Sequence, residues 1–286
     1  MSDLLAALLL GIIEGITEFL PISSTGHLLI AERWLGARSE LFNIAIQAGA
    51  IVAVVLIYRQ RLWAMLLAFL GRTAPASAVG VASPALDTPA HARGYAWKLI
   101  AAFVTTAVLG LMVKALGWEL PTQVRPIAWA LVIGALWMLA AEYFAARRAA
   151  SVGERAAITW TVAILVGIAQ VVAGVFPGTS RSATTIFIAL LAGTTSRVAA
   201  TEFAFLVGIP TMFAATGYEF LSLVRHGQVG HEDWASLGVA FVAALVTAFV
   251  AVKWLLHYIQ SHRFTPFAFY RIALGAALLW WLPVGS

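Results

Sequence analysis

Two short runs gather acids, alcohols, an imidazole and a guanidinium inside otherwise apolar sequence. In the first, Glu14 and Glu18 stand four residues apart, on one face of a helix. Paired carboxylates with no adjacent lysine suit a divalent cation, Mg²⁺ or Ca²⁺, or a general acid–base pair. Pro21, Ser23, Ser24, Thr25 and His27 follow at once. The proline breaks the helix, and a helix restarting beyond it presents free N–H groups and the positive end of its dipole, which is an anion site. Ser24 at such a restart, with His27 three residues on, has the ingredients of an activated nucleophile. The competing reading gives the serines a capping role and the glutamates a reach to water at the interface.

The second run is Pro177, Gly178, Thr179, Ser180, Arg181, Ser182, Ala183, Thr184, Thr185. Arg181 is the single arginine of its apolar stretch, and the hydroxyls of Thr179, Ser180, Ser182 and Thr185 surround it in sequence. A planar guanidinium with hydroxyls, a glycine permitting close backbone approach and a new helix start describes a phosphate clamp. An arginine merely snorkelling to the surface leaves those hydroxyls unexplained. Together the runs fit attack of a hydroxyl on a membrane-held phosphate ester or anhydride. Arg181, the metal and the helix starts would stabilise the developing charge. Gln47, polar within an apolar span, either lines the same cavity or only bridges helices.

The chain that must position these groups has 286 residues, 62% hydrophobic and 11% charged. A soluble domain has about 45–50% apolar and about 25% charged residues, so the composition indicates a polytopic membrane protein. With no cysteine, disulfides and thiolate metal sites are excluded. The net charge of +5 comes from scattered Lys and Arg, not from a patch, which argues against a nucleic-acid partner. The first residues lack a basic n-region and a small-residue cleavage site, so they are expected to belong to the mature fold.

Six stretches meet the ~20-residue requirement for a transmembrane helix: about 41–58, 96–116, 126–145, 201–222, 235–257 and 266–284. Residues 62–71 read as too short to span and as a piece lying at the interface, and 72–95 as a polar loop. Two further apolar stretches, 3–36 and 157–200, are interrupted near the middle by Pro, Gly and hydroxyl residues. At an offset of 156 residues, Gly11, Ile12, Pro21 and Ser24 match Gly167, Ile168, Pro177 and Ser180, four identities in fourteen positions. Non-helical backbone within a bilayer is tolerated only where protein or a cavity surrounds it, and paired interruptions mark the functional site of inverted-repeat folds. Two ordinary Pro-kinked helices are the alternative.

The expected fold is therefore all-α and polytopic, with about six spanning helices plus two re-entrant helical hairpins. It forms a single membrane domain over 1–286 with inverted halves about 1–145 and 146–286. Ten Lys and Arg fall on the side holding loops 59–98, 146–156, 197–200 and 259–265, against five opposite, which makes that side cytoplasmic. The first hairpin then enters from outside and the second from inside.

Residues 14–27 and 177–182 resemble the two signature motifs of the undecaprenyl pyrophosphate phosphatase (BacA-type) family, with the same motif order over essentially the whole chain. The resemblance implies an enzyme of the bacterial inner membrane that removes the terminal phosphate of undecaprenyl pyrophosphate, regenerating the carrier lipid for peptidoglycan synthesis and linked to bacitracin resistance. It implies Glu14 and Glu18 in the metal and acid–base region, Ser24 as nucleophile beside Ser23, and His27 as its partner. Arg181, Ser180, Ser182 and Thr185 would hold the pyrophosphate, and the site would open to the periplasm. The residues leave open whether Ser24 or His27 takes the phosphoryl group, and whether the chain forms a homodimer. The main rival is a lipid flippase or transporter on the same fold. A channel is disfavoured, because its pore would carry rings of one charge sign and these clusters are mixed.

Overall fold

The computed structural model describes residues 3–72, 86, 88–117, 124–227 and 233–281. Ten α-helices occur among them: α1 (Asp3–Thr17), α2 (Ser24–Leu35), α3 (Glu40–Phe69), α4 (Pro89–Ala115), α5 (Val124–Val152), α6 (Trp160–Val175), α7 (Arg181–Ala192), α8 (Arg197–Arg225), α9 (Trp234–Ser261) and α10 (Thr265–Trp281). No strand occurs among the described residues. Five of these helices, α3, α4, α5, α8 and α9, are long and apolar enough to cross a membrane. The chain is thus an all-α protein of polytopic membrane type. The stretch expected to span at 266–284 is helical to Trp281, and its last residues lie outside the described ones.

Two boundaries differ from the sequence expectation. Residues 62–69 do not form a separate interfacial piece; they complete α3, whose 30 residues give about 45 Å of helix. Arg61 sits inside that helix, buried and paired with Glu202 at 2.5 Å, so the charge that ended the span in sequence is neutralised within the fold. Residues 89–95 belong to α4, not to a loop. Pro89 stands in its first turn and Thr88 caps it, accepting from His91 N at 3.2 Å. Residues 73–85 and 87 of the expected 72–95 loop lie outside the described residues.

α1, α2, α6 and α7 have 15, 12, 16 and 12 residues, each too short to cross a ~30 Å hydrocarbon core alone. The first break turns tightly around Pro21, with Ile22 N donating to Leu20 O at 2.7 Å. The second turns at Gly178, φ 98°, where a Cβ would meet Ile127 O at 2.7 Å. Each break closes on a serine with φ > 0, Ser23 at 75° and Ser180 at 70°, the two non-glycine residues in that region among the described ones. Such backbone costs about 1–3 kcal/mol and persists only where its surroundings impose it. These serines immediately precede α2 and α7. The structural register past the prolines is therefore 157, not 156: Ser23 answers Ser180 and Ser24 answers Arg181. The second break holds one more residue between its proline and its serine.

Packing follows the same exchange of α1–α5 for α6–α10. α1 packs on α9 as α6 packs on α4, α3 on α9 as α8 on α4, and α1 against α2 as α6 against α7, while α3 meets α8 and α5 meets α10. Glycine makes the crossings close. A Cβ at Gly11 would clash with the α9 backbone at Ala240, and one at Gly167 would lie 2.6 Å from Ala102 O of α4. With lipid as solvent, such backbone proximity is what draws helices together. The result places both breaks beside α5 and α10 in the interior.

Candidate active site

The end of α1 delivers Glu18 into the first break, and the starts of α2 and α7 deliver Ser24 and Arg181 as their first residues. These meet in a pocket lined by Glu18, Ser23, Ser24, Thr25, Ala173, Gly178, Ser180 and Arg181. Ser24 Oγ donates a short hydrogen bond to Glu18 Oε2. The other oxygen, Oε1, lies 4.0 Å from Arg181 Nη2, whose side chain is about one-third exposed while that of Glu18 is buried. One carboxylate thus touches both the alcohol and the guanidinium, and the N-termini of α2 and α7 open onto the same space.

Glu14 sits one turn before Glu18, 2% exposed, and its Oε2 has no hydrogen-bond partner among the described residues. A buried carboxylate oxygen without a donor is costly and suits a cation. Glu14 therefore fits a hard divalent ion better than Glu18, which is already engaged by Ser24 and near Arg181. No group of three or more His, Cys, Asp or Glu able to hold a metal occurs among the described residues. Mg²⁺ often binds through one or two carboxylates plus substrate phosphate and water, and this donor set accommodates that pattern.

The remaining residues singled out in the sequence divide into pocket and scaffold. Ser180 caps α7 by accepting from Ala183 N at 3.3 Å. Ser182 Oγ lies 3.1 Å from Ser180 Oγ and donates to Leu20 O at 3.0 Å, tying the second helix start to the first break. Thr179 donates to Phe176 O at 2.7 Å, and Thr185 to Arg181 O at 2.8 Å and Ser182 O at 3.2 Å, so both hydroxyls close local backbone. Gln47 accepts from Thr216 at 2.9 Å, joining α3 to α8. Ser182, Thr179, Thr185 and Gln47 are not among the pocket-lining residues.

His27 lies one turn into α2. Nδ1–H donates to Ser23 O at 2.7 Å, since a carbonyl can only accept, and Nε2 lies 2.6 Å from Tyr270 Oη. Both ring nitrogens are therefore engaged, and the group in contact with Ser24 Oγ is the carboxylate of Glu18.

Two α10 residues were missed in the sequence. Arg271 is fully buried and donates to Thr179 O at 2.9 Å, Gly178 O at 3.0 Å and Ala130 O at 3.3 Å, with Pro21 O at 3.5 Å. It holds carbonyls left over by the second break and reaches the first. Gly134 of α5 makes room for it, since a Cβ there would collide with the guanidinium. An arginine inside an apolar span is itself a signal of function. Tyr270, its neighbour, carried no such signal.

The Bacitracin resistance protein BacA family model matches residues 7–277. The chain is 62% identical over 286 residues to the undecaprenyl-diphosphatase of Stenotrophomonas maltophilia (strain K279a), covering 100% of each. It is 58% identical over 286 residues to that of Xanthomonas axonopodis pv. citri (strain 306), again covering 100% of each. To that of Xanthomonas campestris pv. campestris (strain 8004) it is 58% identical over 283 residues, 99% of each chain.

Proposed function

The chain belongs to the bacitracin resistance protein BacA family, and from that premise we infer that it is an integral-membrane undecaprenyl-diphosphatase. It hydrolyses the terminal phosphoanhydride of a polyprenyl diphosphate, giving the lipid monophosphate and phosphate, and so regenerates the carrier lipid for peptidoglycan synthesis. The observation that carries this reading is the contact of Ser24 with Glu18, whose other oxygen faces Arg181.

Glu18 takes the proton of Ser24 Oγ as that oxygen attacks the terminal phosphorus. The bridging P–O bond breaks, the lipid monophosphate leaves with the bond's electron pair, and a phosphoserine forms. Glu18 passes its proton to the departing lipid phosphate and is free again. Water then attacks the phosphoserine phosphorus and gives its proton to Glu18, the Ser24 Oγ–P bond breaks, and Oγ takes that proton back from Glu18 as phosphate leaves. Arg181 and the N–H groups at the starts of α2 and α7 neutralise the phosphoryl oxygens through both steps. A divalent cation would be held by Glu14, one helical turn from Glu18, and when bound would supply further neutralisation of phosphate charge.

The membrane arrangement completes the reading. α3, α4, α5, α8, α9 and α10 span; α1–α2 and α6–α7 are re-entrant hairpins of opposite sense in an inverted repeat. What supports this is the shortness of those four helices, the matched serines at positive φ and the exchanged packing. The Lys and Arg distribution supports a first hairpin entering from the periplasmic side of the inner membrane, and the family's role in carrier-lipid recycling supports a pocket that opens to that side. No observation independently favours a lipid flippase.

The test is release of inorganic phosphate from undecaprenyl diphosphate by purified protein in detergent with Mg²⁺ or Ca²⁺, followed by trapping and mapping of the phosphorylated residue. Release by the wild type, its loss in Ser24→Ala and phosphate mapped to Ser24 are expected. A phosphohistidine at His27, or Ser24→Ala turning over at the wild-type rate, would overturn the assignment of the nucleophile.

A further inference from the structure

The two helix starts treat their strained serines alike in one respect. In α7, Thr184 Oγ1 donates to Ser180 O at 2.8 Å. In α2 the residue at the equivalent position is His27, and its Nδ1 donates to Ser23 O at 2.7 Å. Both side chains therefore brace the carbonyl of a serine held at positive φ. A difference follows from size. Threonine reaches the carbonyl four residues back with a short side chain, a common helical contact. An imidazole must be kept from swinging about two torsions. Ser23 also makes no side-chain cap, whereas Ser180 caps Ala183 N, so the first start leans on its brace more heavily. The group that keeps the imidazole in place is on α10: Tyr270 Oη, 2.6 Å from Nε2, with the two rings within 8° of parallel.

We propose that Tyr270 is a positioning residue of this phosphatase: its hydroxyl holds His27 on the Ser23 carbonyl, and the turn so fixed presents Ser24 to Glu18. His27 then acts as a strut, and neither as the base for Ser24 nor as the phosphoryl acceptor. The inference rests on the pocket being the phosphatase site. Wild-type phosphate release tests that reading, and the variants below test the strut.

The experiment measures kcat and KM for phosphate release from undecaprenyl diphosphate by Tyr270→Phe, His27→Ala, His27→Thr and His27→Thr/Tyr270→Phe. Each variant is first checked for monodisperse elution and for wild-type thermal unfolding in detergent. Loss of one hydrogen bond predicts that Tyr270→Phe lowers kcat about five- to tenfold with KM little changed. His27→Thr copies the α7 brace, so it should retain well over tenfold more activity than His27→Ala, and adding Tyr270→Phe to it should cost nothing more. The proposal is overturned if Tyr270→Phe turns over like wild type. It is equally overturned if His27→Thr is as inactive as His27→Ala, since that would make the imidazole itself chemical. An equal loss from Tyr270→Phe in both backgrounds would sink the link between Tyr270 and His27.

Discussion

The first and second breaks share a frame and differ in charge. Each has a proline, a serine at positive φ, and a side chain four residues on that braces the serine's carbonyl. On that common frame Glu14 stands where Gln170 does, Glu18 where Gly174 does, and Ser24 where Arg181 does. Gln170 accepts from Thr211 at 2.9 Å and leaves its Nε2 donor without a partner, whereas in Glu14 the unpartnered atom is a carboxylate oxygen. The frame is what both copies retain. The chemistry is what they divide: acid and alcohol on one side, guanidinium on the other. A pocket for a diphosphate needs both, and neither copy alone holds both.

The contrast breaks most severely at the residues that face each other across it. On the proposed mechanism Ser24→Ala removes the attacking oxygen, and by analogy with other nucleophile deletions should lower kcat at least ~10³-fold, read as phosphate release under saturating substrate. Arg181→Ala should cost on the order of 10²–10³-fold. Arg181→Lys should recover only part of that, because an ammonium lacks the planar fork. A lysine variant equal to wild type would reduce the second break's contribution to bare charge.

Glu14→Gln sharpens the comparison by giving the first copy the residue of the second. If Glu14 holds the cation, half-maximal activity should require about 10-fold or more Mg²⁺, a ligand-level effect, with kcat largely regained at saturation. An unchanged Mg²⁺ titration would remove Glu14 from the metal. The smallest effect concerns what the copies share. Arg271→Met strips donors from the Gly178 and Thr179 carbonyls and should destabilise the protein by about 1–3 kcal/mol, measured as lowered thermal unfolding in detergent. Bound phosphate should widen that gap if the guanidinium shapes the pocket, because the variant then binds phosphate more weakly and gains less from it.

Much of this was legible in the chain because polar residues in an apolar setting announce themselves. Glu14, Glu18, Ser24 and Arg181 stood out by type, and the prolines marked where helices must stop. What was not legible depended on contacts across long separations. Arg271 lies 250 residues from Pro21 and 93 from Gly178, and hydropathy tolerates one arginine in a span without asking what it touches. His27 was read with its neighbour Ser24 because nothing in sequence shows that Tyr270, 243 residues away, takes its free nitrogen. The register slip past Pro21 has a local cause: Gly178 and Thr179 stand where the first break has Ile22 alone, so serine matched serine one place off. The end of α3 was cut short because Arg61 looked like a boundary until its partner Glu202 was seen.

The glycine crossings bear on how the protein is made. Gly11 and Gly15 of α1 press against the backbone of α9, and Gly167 of α6 against α4, so each half fills a groove in the other. α1 emerges from the ribosome more than two hundred residues before α9. Throughout that interval its notched face has no native companion, and lipid or the insertion machinery must cover it. The enzyme cannot be finished half by half; its first helix is seated among the last.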